Sequence, residues 1–137
     1  MDWADLARLA ADPNATIASA TVEYPVLSTM KDADAMREMT MGKRVAETAL
    51  HREVRHFAFP FGDPDSFRRA HVVMAEEAGF HSAVSTIPGI VDAEGRTNLH
   101  ALPRIAWDGR LNSIRAMRVV LSGATFGAVR PTPKPEI

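Results

Sequence analysis

A chain of 137 residues fits one domain. Hydrophobic residues make up 46% and charged residues 24%, ordinary globular usage that supplies a core and excludes a disordered chain outside the tail. The net charge of −1 offers no cationic surface for nucleic acid or an anionic membrane, so neither is expected as a partner. The absence of cysteine excludes disulfides and thiolate metal sites. No apolar run approaches the ~20 residues of a membrane span. Met1-Asp-Trp-Ala-Asp-Leu lacks the basic region and apolar core of a signal peptide, so a cytoplasmic chain is expected unless it has been cut from a longer one.

Residues 2–11 predict a short helix: Asp2 is the N-cap candidate, and Trp3, Leu6, Leu9 and Ala10 recur at helical spacing. Asp12-Pro13-Asn14 ends it, and Thr16 to Val22 predicts a strand closed by Pro25. Asp32 or Asp34 caps a helix over 33–49, with Met36, Met39, Met41 and Val45 as its apolar side and Lys43 and Arg44 as a solvated face. Val54 to Phe59 predicts a short buried strand, with Phe57 and Phe59 on one face and Ala58 on the other. Pro60 and Gly62 stop it, and Asp63-Pro64 predicts an N-cap and first-turn proline for a helix over 64–78. Phe67, Ala70, His71, Met74 and Ala78 form that helix's apolar stripe, and Gly79 is its C′ residue. Phe80 to Thr86 and Leu102 to Trp107 predict two further strands, the second entered through Pro103. Asn112 or Ser113 caps a last helix through about Leu121. Residues 1–129 are expected to form the domain, and 130–137, with three prolines, an extended tail.

Helices alternating with strands predict an α/β fold with a mainly parallel sheet. Four strands cannot close a barrel of the usual size, so the sheet is open or part of a barrel is missing. A strand that runs through a Gly/Pro turn into a helix is where α/β proteins place their sites, although turn chemistry by itself explains every residue of this stretch except Arg55.

Arg55-His-Phe-Ala-Phe-Pro-Phe-Gly62 resembles the Arg-x-Phe-Ala-Tyr-Pro-x-Gly block of the polysaccharide deacetylase (NodB-homology) family. Neighbouring stretches match in order. Ile17-Ala-Ser-Ala-Thr-Val-Glu-Tyr-Pro25 resembles the strand that normally reads Ile-Gly-x-His-Thr-x-x-His-Pro. Ala78-Gly-Phe-His-Ser-Ala83 followed by Pro88-Gly89, Leu102-Pro-Arg-Ile105 and Leu121-Ser-Gly-Ala-Thr-Phe126 resemble later family segments. The resemblance implies a partial (β/α) barrel with flanking helices. It implies an activity that removes acetyl groups from N-acetylated sugars with a divalent metal such as zinc. It also implies that Arg55 is the arginine that holds the family's base aspartate, and that the Phe61 N–H is the oxyanion donor.

Two departures decide what to expect. The family's first strand carries an Asp-Asp pair, one aspartate the general base and the other a metal ligand, and this sequence has no such pair. The two metal-binding histidines of the family fall on Ala20 and Tyr24. Alanine has no donor atom, and a neutral tyrosine is a poor zinc ligand beside imidazole. No metal or other cofactor is therefore expected, and the five histidines, His51, His56, His71, His81 and His100, show no zinc-site spacing. The resulting expectation is a truncated, inactive deacetylase-like protein lacking the N-terminal strands. Two alternatives accompany it. One is a metal-independent carbohydrate-binding module, with Tyr24, Phe57, Phe59, Pro60, Phe61 and Trp107 lining a groove, against which stands the reading that most of these aromatic residues lie in the core. The other is a subunit that completes its site with a second chain, self-associating through an exposed sheet edge.

Overall fold

The computed structural model describes residues 2–92, 95, 97–107, 109 and 113–124. The expected tail at 130–137 lies outside the described residues. Helix α1 (Trp3–Ala10) begins at Asp2, where the Asp2 carboxylate accepts from the Asp5 N–H at 2.8 Å and the Asp5 carboxylate accepts from the Asp2 N–H at 3.2 Å. This reciprocal pair satisfies two N–H groups that the first turn leaves without partners. Helices α2 (Asp32–Leu50), α3 (Arg69–Glu77) and α4 (Ile114–Leu121) follow, the last capped by Ser113.

Four extended segments run parallel in chain order. Strands β1 (His56–Ala58) and β2 (Ser82–Val84) pair with Phe57 opposite Ala83. Ser19 bridges Phe57 on the outer side of β1, and Leu102 bridges Val84 beyond β2. α2 and α3 fill the first two crossovers, as parallel neighbours require. The strands are shorter than 54–59 and 80–86, but the hydrogen bonding between them is not. It extends from His81 N–H to Arg55 C=O (2.7 Å) through Phe59 N–H to Val84 C=O (3.1 Å) to Thr86 N–H to Gly62 C=O (2.9 Å). The outer segments are single bridges instead of the strands 16–22 and 102–107, for local reasons. After Ala20 the N–H groups of Val22 and Glu23 go to the Glu38 carboxylate, and Pro103 has no N–H to give.

The core lies between this sheet and the helices α2 and α3. Phe57 and Phe59 face it together, as alternation predicts, with Leu27, Met39, Val72 and Phe80. In α2 the buried positions are Ala35 and Met39, whereas Met41 and Val45 are exposed. Gly42 explains the choice of face. A Cβ there would stand 3.1 Å from the Thr21 carbonyl carbon and 3.2 Å from Ser19 Oγ, so the glycine lets this face of the helix sit close against the first segment. Lys43 is not a solvated charge: its Nζ donates to the Gly79 carbonyl at 2.8 Å and lies 5.0 Å from the Phe80 ring centre, capping the end of α3.

α3 starts at Arg69, five residues later than the Asp63-Pro64 signal suggests. Asp63 does act as a cap, accepting from Asp65 and Ser66 N–H at 2.9 and 3.1 Å, but of an isolated turn. The carbonyls of that turn are taken by Ser28, whose N–H donates to Ser66 C=O and whose Oγ donates to Asp65 C=O. The buried positions of α3 are consequently His71, Val72 and Ala75, and Ala70 is exposed. Neither Asp32 nor Asp34 caps α2; Lys31 holds the N-cap position and the Asp32 carboxylate pairs with Arg68 at 3.0 Å.

Candidate functional site at the C-terminal rim

The loops that follow the first three parallel segments meet at one end of the sheet, and Tyr24, Phe61 and Thr86 are their tips. The first loop is fixed by side chains. Glu38 Oε2 accepts from both Val22 N–H (3.0 Å) and Glu23 N–H (3.1 Å), and Thr21 Oγ1 accepts from Tyr24 N–H (3.1 Å). These contacts hold Tyr24 in a left-handed conformation, φ 55°, that non-glycine residues rarely adopt. Phe61 is left-handed as well, φ 61°. The third loop clamps it: Thr86 Oγ1 donates to Phe61 C=O at 3.0 Å, and Thr86 N–H donates to Gly62 C=O. Glycine is required at 62, since φ is +73° and a Cβ would lie 2.8 Å from Thr86 N.

Across this rim the Phe61 N–H donates to the Tyr24 hydroxyl at 3.3 Å, and the two rings pack with centres 5.2 Å apart, tilted by 55°. Tyr24 is 53% exposed and Phe61 50%. The left-handed turn explains the exposure of Phe61: alternation alone would point it inward with Phe57 and Phe59. Phe59 is not at this surface, being 3% exposed and stacked on Phe67 at 4.2 Å, and Pro60 is fully buried beneath the turn. Phe57 is likewise buried, while Trp107 is exposed.

Arg55 lies at the other end of the sheet. It precedes β1, and at about 3.3 Å per residue the five residues to Pro60 span about 16 Å. Its Nε donates to Glu53 Oε2 at 2.7 Å, and the Arg55 hydrogen bond holds the Glu53 carboxyl below the usual carboxylate range. Both flank an open cleft of about 420 Å³ with Thr16, Ile17, Arg52 and His56. Arg55 and Phe61 are thus not brought together, and Arg55 has its carboxylate partner at the foot of the strand.

The metal that the resemblance implies does not fit these residues. Ala20 has no donor atom, and the one donor of Tyr24 accepts from Phe61. Among the described residues no three His, Cys, Asp or Glu side chains converge where they could hold a metal ion. Several histidines have structural partners: His56 Nδ1 meets Ser82 Oγ at 2.9 Å, and His100 Nε2 donates to Phe80 C=O at 2.8 Å, away from the rim. His71 is buried in α3; its Nδ1 accepts from Arg68 N–H at 3.0 Å and its Nε2 has no partner among the described residues. Burial, then the Arg68 charge, pushes its pKa down. Glu38 and Thr86 escaped the sequence reading. Both belong to other elements than the residues they hold, and neither stands in a recognisable pattern.

No protein-family model matches the chain, and no curated protein matches it. Solved structures do. Streptococcus pyogenes deacetylase PplD, in complex with acetate, is 21% identical, with TM-score 0.66 over 76% of this chain and 43% of that one. The BpsB deacetylase domain from Bordetella bronchiseptica is 16% identical, with TM-score 0.66 over 76% and 48%. A polysaccharide deacetylase from Bacillus cereus is 20% identical, with TM-score 0.56 over 66% and 27%. The chain spans less than half the length of each. The sheet order, the crossover helices and these superpositions agree: over the matched residues the chain has the fold of the polysaccharide deacetylases.

Proposed function

We propose that this chain keeps the deacetylase fold without the deacetylase reaction. The observation that carries the proposal is the Tyr24–Phe61 contact. The residue at the second metal-histidine position has turned its only donor atom onto the backbone amide that the resemblance makes the oxyanion donor. Hydrolysis of an acetamide in this manner needs a metal to polarise the carbonyl and activate water, and a carboxylate base beside that water. Ala20 supplies no side-chain donor atom, and the Phe61 N–H is already engaged by the Tyr24 hydroxyl. The four parallel segments in chain order are read as an arc of the family's incomplete (β/α) barrel.

Zinc titration by calorimetry tests the reading, with the unaltered chain beside an Ala20→His/Tyr24→His variant. The expected result is no saturable binding to the unaltered chain and measurable binding to the variant, because imidazole restores two nitrogen donors. Tight binding of one equivalent by the unaltered chain overturns the proposal.

A second reading, metal-independent binding of an oligosaccharide or polysaccharide, is favoured by one feature. Tyr24 and Phe61 form a half-exposed aromatic pair at the end of a parallel sheet, where α/β proteins bind ligands, and their rings offer apolar faces to a sugar. Phe59 and Pro60, being buried, support the turn instead of touching ligand. Retention on chitin or peptidoglycan that persists in EDTA and is lost in Phe61→Ala supports this reading; no retention removes it.

A further inference from the structure

We propose that Tyr24 is a built-in occupant of the Phe61 amide: its hydroxyl holds this backbone donor from within the chain, so a small carboxylate or acetamido group reaches the amide only by displacing the phenol. This goes beyond the loss of a metal site. A chain could lose both histidines and leave the amide open.

Three observations carry the inference. First, two left-handed non-glycine residues face each other across the rim, Tyr24 at φ 55° and Phe61 at φ 61°. Such conformations persist only where the surroundings over-determine them, and they cluster where the backbone has a task. Second, the surroundings do determine them. Glu38 and Thr21 satisfy three consecutive N–H groups ahead of the Tyr24 side chain, and Thr86 fixes the Phe61 carbonyl, so the phenol and the amide are aimed at each other by contacts on both sides. Third, the contact is built to give way. At 3.3 Å it exceeds the ordinary N–H···O range, both partners are half exposed, and the acceptor is neutral. A carboxylate accepting the same N–H makes a shorter, charge-assisted bond roughly twice as strong. The tyrosine hydroxyl is therefore a weak occupant in a position where a charged oxygen competes well.

Nuclear magnetic resonance of the Phe61 backbone amide tests this, with sodium acetate titrated against sodium chloride of equal ionic strength. The chains compared are the unaltered protein and Tyr24→Phe, which keeps the ring and removes the hydroxyl. In Tyr24→Phe, hydrogen exchange at the Phe61 amide is expected to speed up about two- to tenfold, the loss of one ordinary hydrogen bond. Acetate is expected to move the Phe61 amide resonance at a concentration lower by a similar factor, because the open form no longer has to be populated first. The unaltered chain gives an independent reading should the variant fold poorly: acetate must move the Tyr24 ring resonances together with the Phe61 amide. Equal exchange and equal acetate affinity in the two chains overturn the proposal. So does an acetate shift of the Phe61 amide with the Tyr24 ring unmoved. None of these outcomes depends on zinc, so failure here and failure of the metal titration are separable.

Discussion

Phe57, Phe59 and Phe61 alternate in sequence but should not behave alike when truncated. Phe57 is fully buried, with its ring centre 5.2 Å from Phe59 edge-on and 5.1 Å from Phe80. Replacing it with alanine removes a core ring flanked by two others and leaves a cavity beneath the sheet. Such changes cost about 3–5 kcal/mol, ring contacts included. Phe61 packs tilted against Tyr24 and is half exposed, and its left-handed backbone is no easier for alanine, so Phe61→Ala should cost about 1 kcal/mol or less. A small domain has a total stability of only about 5–15 kcal/mol. In urea, with a slope near 1.5 kcal/mol per molar, Phe57→Ala lowers the unfolding midpoint by about 2–3 M and Phe61→Ala by about 0.7 M or less. Equilibrium unfolding followed by tryptophan fluorescence and by circular dichroism measures both. Equal losses for the two variants would refute the reasoning, because they would put Phe61 in the core and remove the left-handed turn from the rim.

Three further outcomes are expected. Gly62→Ala must move a Cβ away from Thr86 N at 2.8 Å in a backbone that already disfavours it, a loss of about 2–3 kcal/mol in the same assay; a neutral result would deny the Gly62–Thr86 clamp. His71 takes up its proton less readily when folded than the unfolded residue, whose pKa is near 6.5. Its contribution is fully present above about pH 6.5 and falls away as pH drops towards the folded value, because the unfolded chain binds the proton first. His71→Leu should flatten the loss of stability as pH falls below about 6.5, and an unchanged slope would rule His71 out. Finally, among the described residues the first parallel segment offers an edge of small uncharged residues, Ala18 to Thr21, with Ala18 exposed, whereas the opposite side carries Pro103 and Arg104. Self-association by ultracentrifugation should weaken in Ala18→Lys; a monomer in both forms removes that edge as an interface.

The element types were legible because they rest on local signals. Asp2 and Asp5 form the capping box at the start of α1, Ser113 caps α4, and Phe57 with Phe59 lie on one buried face of β1. Where the reading missed, a distant residue had intervened. Ser28 takes the carbonyls of the turn that Asp63 caps and delays α3; Gly42 selects which face of α2 packs; Lys43 leaves solvent to cap another helix. None of these is visible within a window of a few residues.

By itself the sequence determined the α/β order and the core strand, since periodicity and turn chemistry are local properties. Only the tertiary structure decided what individual residues do. Arg55 and Phe61 share one sequence block, yet a strand separates them by its full length. Tyr24 and Phe61, 37 positions apart, share a hydrogen bond because adjacent parallel strands bring their loops to one end. Distance in space, which governs hydrogen bonding and packing, is set by the crossovers and not by spacing along the chain.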